Sequence, residues 1–259
     1  MNVLTATYTD KGIKKPSNQD SLCLKIADTS VGKVVLAVIC DGMGGLSKGE
    51  VASASVVNAF SAWFEEELPA QLATMDFDDI EYRWRRIVKE QNQRIAEYGR
   101  KHKLQLGTTW TALLVIDSNL FMIGHVGDSR VYRIHQQLEV LTEDQTVVGR
   151  EMKRGTMTPE QAKLDPRRNV LLQCIGASKV VEPQFLHGRP QPGEVYMLCS
   201  DGFRHMITAN EIADAFSPSV LMDEETMELK AKQLVELNKQ RQETDNITVL
   251  LLKFCKDGD

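Results

Sequence analysis

Residues 34–40 read Val-Val-Leu-Ala-Val-Ile-Cys, an unbroken apolar run that stops against Asp41-Gly42. The run is too short to span a membrane and suits a β-strand. Successive side chains of a strand point to opposite faces, so one that is apolar throughout must be covered on both sides. Similar runs recur at residues 111–117, 120–126, 195–199 and 247–254, with a further strand at 130–134. Such strands have to lie beneath helices, a second sheet, or both. Residues 50–68, 78–103 and 224–241 supply helices, with apolar side chains at helical spacing and charges between them. Turn signals at Asp117-Ser118-Asn119 and Gly127-Asp128-Ser129 predict antiparallel neighbours among the middle strands. The expectation is a mostly antiparallel sheet system with outer helices, an α+β layered fold. Without an internal repeat, linker or low-complexity tract, residues 1–259 are expected to form a single domain.

Composition excludes several classes of function. With 26% charged and 42% hydrophobic residues, the chain is an ordinary globular one. A net charge of −5 argues against a nucleic-acid partner, which would favour a basic face. No apolar run reaches membrane length, and the first residues lack the basic-then-apolar order of a signal peptide. Five scattered cysteines with no C-x-x-C spacing are expected to be free thiols, mostly buried, in a reducing cytoplasm.

The carboxylates carry the functional signal. Asp41, Asp128 and Asp201 follow the apolar runs at 34–40, 120–126 and 195–199, whereas Asp20 and Asp245 precede strands. In antiparallel sheets one strand's end lies beside its neighbour's start, so all five acids can gather along a single edge. Bare, they would repel: two unit charges ~4 Å apart interact by about 4 kcal/mol at an effective dielectric of 20. Raised pKa values or divalent cations relieve that repulsion, and oxygen-only ligands favour Mg²⁺ or Mn²⁺ over zinc. Two ions sharing an aspartate suit hydrolysis of phosphate esters. Singly, each acid could equally be a turn residue.

The glycine-rich stretch Cys40-Asp41-Gly42-Met43-Gly44-Gly45-Leu46-Ser47-Lys48-Gly49 fails two nucleotide-binding patterns. It breaks the P-loop spacing at two positions, and Ser47 stands at the third glycine of a dinucleotide fingerprint. Its glycines instead allow close backbone approach to bound ions, with the Gly42 carbonyl beside Asp41.

Taken in order, Thr9-Asp10-Lys11-Gly12, Asn18-Gln19-Asp20-Ser21, Ile39 to Gly45, Gly107-Thr108-Thr109, Val126 to Tyr132, Cys199 to Gly202 and Asp245 to Val249 resemble the motifs of the metal-dependent serine/threonine protein phosphatases, the PPM or type 2C family, in its compact bacterial form. The resemblance covers nearly the whole chain. It implies two antiparallel sheets in a central sandwich flanked by helices, in α-β-β-α layers, with a metal cluster at one end. It also implies a mobile flap-like segment at about residues 143–176. Asp41 would bridge two Mn²⁺ or Mg²⁺ ions, with the Gly42 carbonyl, Asp201 and Asp245 completing their shells. Asp128 with Asp201 would hold a third, weaker ion, and Asp20 would support the cluster through water. A metal-bridging hydroxide would attack phosphorus directly, without a phosphoenzyme. The implied substrates are phosphoserine and phosphothreonine proteins, opposing a serine/threonine kinase, and the implied form is a monomer in the cytoplasm.

Four positions depart from that pattern. Lys15 stands where the family usually has arginine, offering phosphate a point charge rather than a fork. Gln19 replaces a glutamate, and Leu46 and Gln145 occupy positions that are often histidine. None of His102, His125, His135, His187 and His205 lies in a motif that marks a general acid, and His125 is expected to be packed within its strand. A degenerate metal-binding regulatory module and a hydrolase of small phosphate esters remain alternatives.

Overall fold

The computed structural model describes residues 2–44, 48–73, 77–117 and 119–255. Gly45, Leu46, Ser47 and Ser118, on which parts of the sequence reading fall, lie outside them. The described strands are β1 (Val3–Asp10), β2 (Asp20–Thr29), β3 (Gly32–Gly44), β4 (Leu106–Thr108), β5 (Trp110–Ile116), β6 (Leu120–Val126), β7 (Arg130–Ile134), β8 (Leu138–Val140), β9 (Gln184–Gly188), β10 (Val195–Cys199) and β11 (Ile247–Phe254). The helices are α1 (Gly49–Glu66), α2 (Leu68–Leu72), α3 (Phe77–His102), α4 (Val147–Lys153), α5 (Pro159–Leu164), α6 (Asp201–Arg204), α7 (Ala209–Ala215) and α8 (Glu224–Gln240).

Two sheets form, with all their pairings antiparallel. One runs β1-β11-β10-β7-β8; the other runs β2-β3-β5-β6-β9, with β4 paired to β3. The consecutive apolar positions of β3 divide between two cores. Val34, Leu36, Val38 and Cys40 pack with α1 and α3, against Phe60, Trp63, Trp84 and Ile87. Val35, Ala37 and Ile39 face the other sheet and meet a shared core with Tyr196, Leu198, Leu250 and Leu252. In β11 the same alternation sends Ile247, Val249 and Leu251 towards Phe203, Phe216 and the buried face of α8. Period-two alternation thus builds the α-β-β-α layers expected of the sequence.

One expectation changes. Gly127-Asp128-Ser129 does not join neighbouring strands of one sheet: β6 pairs with β5 and β9, while β7 pairs with β10 and β8. The turn carries the chain from one sheet to the other, and Gly127 makes the corner at φ 110°. A short polar link between two apolar runs is compatible with either path, because the choice depends on which sheet has a free edge.

Among the described residues no helix is long and apolar enough to cross a membrane. The five cysteines are free thiols. The helix-side core centres on Trp84, fully buried and edge-on to Phe60, Trp63 and Trp110. Trp84→Ala is expected to cost about 3–5 kcal/mol of stability in urea unfolding, while the turnover of the folded fraction stays unchanged.

Candidate metal centre

Asp20 and Asp41 face each other across β2 and β3, in register. Asp41 does not end its strand, as the apolar run suggested; β3 continues to Gly44, and β4 pairs with this extension. Its backbone is fixed on both sides: Asp41 N–H donates to Thr109 Oγ1 at 2.8 Å, and its carbonyl accepts from Thr109 N–H and Thr108 Oγ1, each at 2.9 Å. The neighbouring Gly42 is a point of backbone contact. A Cβ there would lie 2.4 Å from the carbonyl oxygens of both Gln19 and Gly49. The glycines therefore let β3, the start of β2 and the first turn of α1 close on one another, a requirement of packing before any of ion binding.

Asp20 reaches across to the other sheet. Its Oδ2 accepts from Thr248 Oγ1 on β11 at 2.6 Å and from Ser200 Oγ, just after β10, at 2.9 Å. Asp201 opens α6 immediately after Ser200. Asp245 precedes β11, and Asn246 beside it accepts from Gln19 N–H at 2.9 Å while its own amide donates to the Lys11 and Ser17 carbonyls. These bonds draw the start of β2, the start of β11 and the end of β10 to one end of the sandwich. Lys15 lies there too, its Nζ 2.7 Å from Asp245 Oδ1.

Electrostatics reports the same crowding. Burial lifts the Asp20 carboxyl to about 7, and the fields of Asp201 and Asp245 add to the lift against the pull of its two hydroxyl donors. Burial also raises Asp41 far above the carboxylate range, with Asp20, Asp201, Asp128 and Asp245 all contributing. Asp128 is likewise raised to about 7 by burial and then Asp201, against the opposing charge of Arg204. Burial works against the Lys15 ammonium, yet its bond to Asp245 and the fields of Asp41 and Asp201 prevail and raise its pKa. The five acids named from the sequence therefore share one neighbourhood, and Lys15 joins them.

Whether a cation suits this neighbourhood can be judged from its oxygens. Among the described residues, Asp20 Oδ1 and Asp201 Oδ1 are buried without a hydrogen-bond partner, an arrangement that costs free energy until something positive meets them. All donors are oxygens, the set that hard divalent ions prefer. Among the described residues, no three His, Cys, Asp or Glu side chains are grouped closely enough to hold an ion as they stand, and the Lys15 ammonium supplies positive charge beside Asp245. The donor chemistry fits Mn²⁺ or Mg²⁺.

Several neighbours escaped the sequence reading. His205 Nε2 lies 3.5 Å from Asp201 Oδ2, and its Nδ1 lies 3.3 Å from Glu243 Oε2. Burial opposes its protonation, but the bond to Glu243 and the field of Asp201 outweigh it, so this imidazole holds a proton more readily than a free one. Arg204, Asp144 and Arg130 form an ion-paired group beside Asp128. Arg204 and His205 follow Asp201 by one turn, but that local sequence carries no signal of what the two side chains face. Gln145 is structural: its side-chain oxygen accepts from Gly127 N–H at 2.8 Å and from Gln173 Nε2 at 2.9 Å. Gln19 donates to Glu50 at 3.3 Å.

Fold and site together define a two-sheet sandwich with an acid-lined end suited to cations and an anionic substrate. Residues 13–237 match the model of the family described as Protein phosphatase 2C. Protein phosphatase PhpP of Streptococcus pneumoniae is 30% identical over 252 residues, covering 96% of each chain. The S. agalactiae serine/threonine phosphatase superposes with a TM-score of 0.83 at 29% identity, over 98% of this chain and 100% of that one. The catalytic domain of the serine/threonine protein phosphatase PstP, solved with two manganese ions, gives 0.78 at 28% identity, over 98% and 99%. The chain belongs to the protein phosphatase 2C family.

His125, as expected, is packed rather than poised. It is fully buried, accepts from Thr111 at Nδ1 and donates from Nε2 to the Gly127 and Glu143 carbonyls. Burial depresses its pKa from 6.5 to about 4. The unfolded chain therefore binds the extra proton first, and stability from this residue is present above pH 6.5 and lost as pH falls towards 4. The loss is expected to reach about 3 kcal/mol at the acid end. Thermal unfolding of His125→Asn should lack this component, and identical pH profiles for the two proteins would refute it.

Proposed function

We propose that this protein, a serine/threonine protein phosphatase, hydrolyses phosphoserine and phosphothreonine on other proteins with two divalent cations held by Asp41, the Gly42 carbonyl, Asp201 and Asp245. The observation that carries this reading is the convergence of acids from both sheets on one end of the sandwich, two of them with buried, unpartnered oxygens. Family membership and the two manganese ions of PstP support it. Bound there, Mn²⁺ or Mg²⁺ would neutralise phosphate charge and activate water for in-line attack on phosphorus, so no phosphoenzyme is required.

The chain's own side chains orient and balance this chemistry. Asp20, held by Ser200 and Thr248, would support the metal-holding acids through water. Lys15 holds Asp245 by a single ammonium contact; Asp245 would help hold a cation, and the Lys15 ammonium, beside it, would meet the phosphate. Residues 143–176, which include α4 and α5, form the flap-like segment in this reading. A cleft of about 760 Å³ lies along it, lined by Arg130, Asp144, Gln145, Arg150 and Lys153 but by none of the five clustered acids, and offers space for peptide. Such an enzyme acts as a monomer opposing a serine/threonine kinase, and the free cysteines suit a cytoplasmic setting.

Hydrolysis of a chromogenic aryl phosphate is expected to require Mn²⁺, to stop in excess chelator and to fall roughly 10³-fold in Asp41→Ala. Undiminished activity in chelator would overturn the metal reading. Release from small esters but from no member of a phosphopeptide panel would favour the small-ester alternative. Lys15→Arg should lower the Michaelis constant with little change in turnover, since a guanidinium grips phosphate bidentately. An unaltered constant would remove Lys15 from the phosphate site.

A further inference from the structure

The family resemblance assigns Asp128, with Asp201, to a third ion. The structure gives Asp128 another partner. Arg204 Nη2 donates to the Asp128 carbonyl at 3.0 Å and lies 3.7 Å from its carboxylate Oδ2. The same nitrogen lies 3.4 Å from Asp144 Oδ2. Asp144 in turn receives a two-pronged grip from Arg130, with Nε and Nη2 each 2.7 Å from a different carboxylate oxygen. Arg130 also donates to Tyr132 at 3.0 Å, which fixes the outer end. Arg130, Asp144 and Arg204 are thus a run of alternating charges that ends beside the Asp128 carboxyl. The Arg204 and Asp128 side chains are only 14% and 9% exposed, so water screens this pairing weakly.

We propose that Arg204 is the permanent counter-cation of Asp128, and that the acid cluster of this chain therefore takes two divalent ions and not a third. The inference rests on the two-ion reading above. A carboxylate-bound divalent ion sits about 2.0–2.6 Å from its oxygen ligands. An ion on Asp128 would therefore meet a guanidinium that cannot deprotonate. Nor can that guanidinium easily withdraw. Its side chain is only 14% exposed, and Asp201 and Arg204 lie at the two ends of the single turn of α6, so one short piece of backbone carries both the acid and the cation. Among the described residues Arg204 Nε is buried without an acceptor, which leaves the Asp128 and Asp144 contacts to hold the group. Arg204 acts here as a positioning residue through Asp128.

Counting bound ions tests this independently of turnover. In equilibrium dialysis against Mn²⁺, with free ion read by electron paramagnetic resonance, the unaltered full chain should bind two ions. Arg204→Gln, which deletes the charge, should bind three, and adding Asp128→Asn to it should return the count to two. Arg204→Lys, which keeps the charge, should stay at two. Asp128→Asn alone should also bind two, a comparison that holds even if Arg204→Gln does not fold. Three ions in the unaltered chain falling to two in Asp128→Asn would overturn the role of Arg204 and leave the two-ion reading standing. A count that stays at two in folded Arg204→Gln would overturn it as well. Fewer than two ions in the unaltered chain would overturn the two-ion reading and this inference with it.

Discussion

The dry seam between the two sheets is the constraint on which the rest depends. Val35, Ala37, Ile39, Tyr196, Leu198, Leu250 and Leu252 fill it, and none is more than marginally exposed. Burying side chains of this size contributes about 1.5–3 kcal/mol each, ample to hold the sheets face to face. Because the seam fixes both sheets, it also fixes where their strand ends meet. Asp20 closes that end, leaving one sheet to accept hydroxyl hydrogen bonds from the other. The acids are neighbours because the layers behind them cannot slide.

Holding like charges together has consequences that the structure answers in two ways. Around Asp128 part of the answer is built in: Arg204, at the end of a row of alternating charges, opposes the burial and the Asp201 field that raise this acid. Around Asp20, Asp41, Asp201 and Asp245 it is incomplete. Lys15 makes one contact, His205 leans on Asp201, and two buried oxygens have no partner. The raised pKa values of Asp20 and Asp41 express that deficit. A site that is electrostatically unfinished in the protein alone is one whose stability and chemistry are linked to what it binds.

The elements legible in the sequence were those buried on both faces or amphipathic over several turns. The central strands and α1, α3 and α8 fall within a few residues of their expected ranges. Strand β1 was missed because Thr and Tyr interrupt its apolar positions, as suits an edge strand with only one neighbour, β11. The short helices α5 and α7 announce themselves only through Thr158-x-x-Gln161 and Thr208-x-x-Glu211 capping boxes. At the site, acids flanking strands could be read because strand ends in antiparallel sheets coincide. His205, Glu243 and the Arg204 network could not, because a histidine or arginine after a turn has the same local sequence whether it faces solvent or an acid.

By itself, the sequence determined that strands buried on both faces would need two covers, and that acids at their ends would need cations. Those conclusions follow from periodicity and charge, which are local properties. Tertiary structure alone decided that Gly127-Asp128-Ser129 would cross between sheets, and that Arg204 rather than open space would stand beside Asp128. Both depend on which distant surfaces are left free once the seam has closed, and no window of residues contains that information.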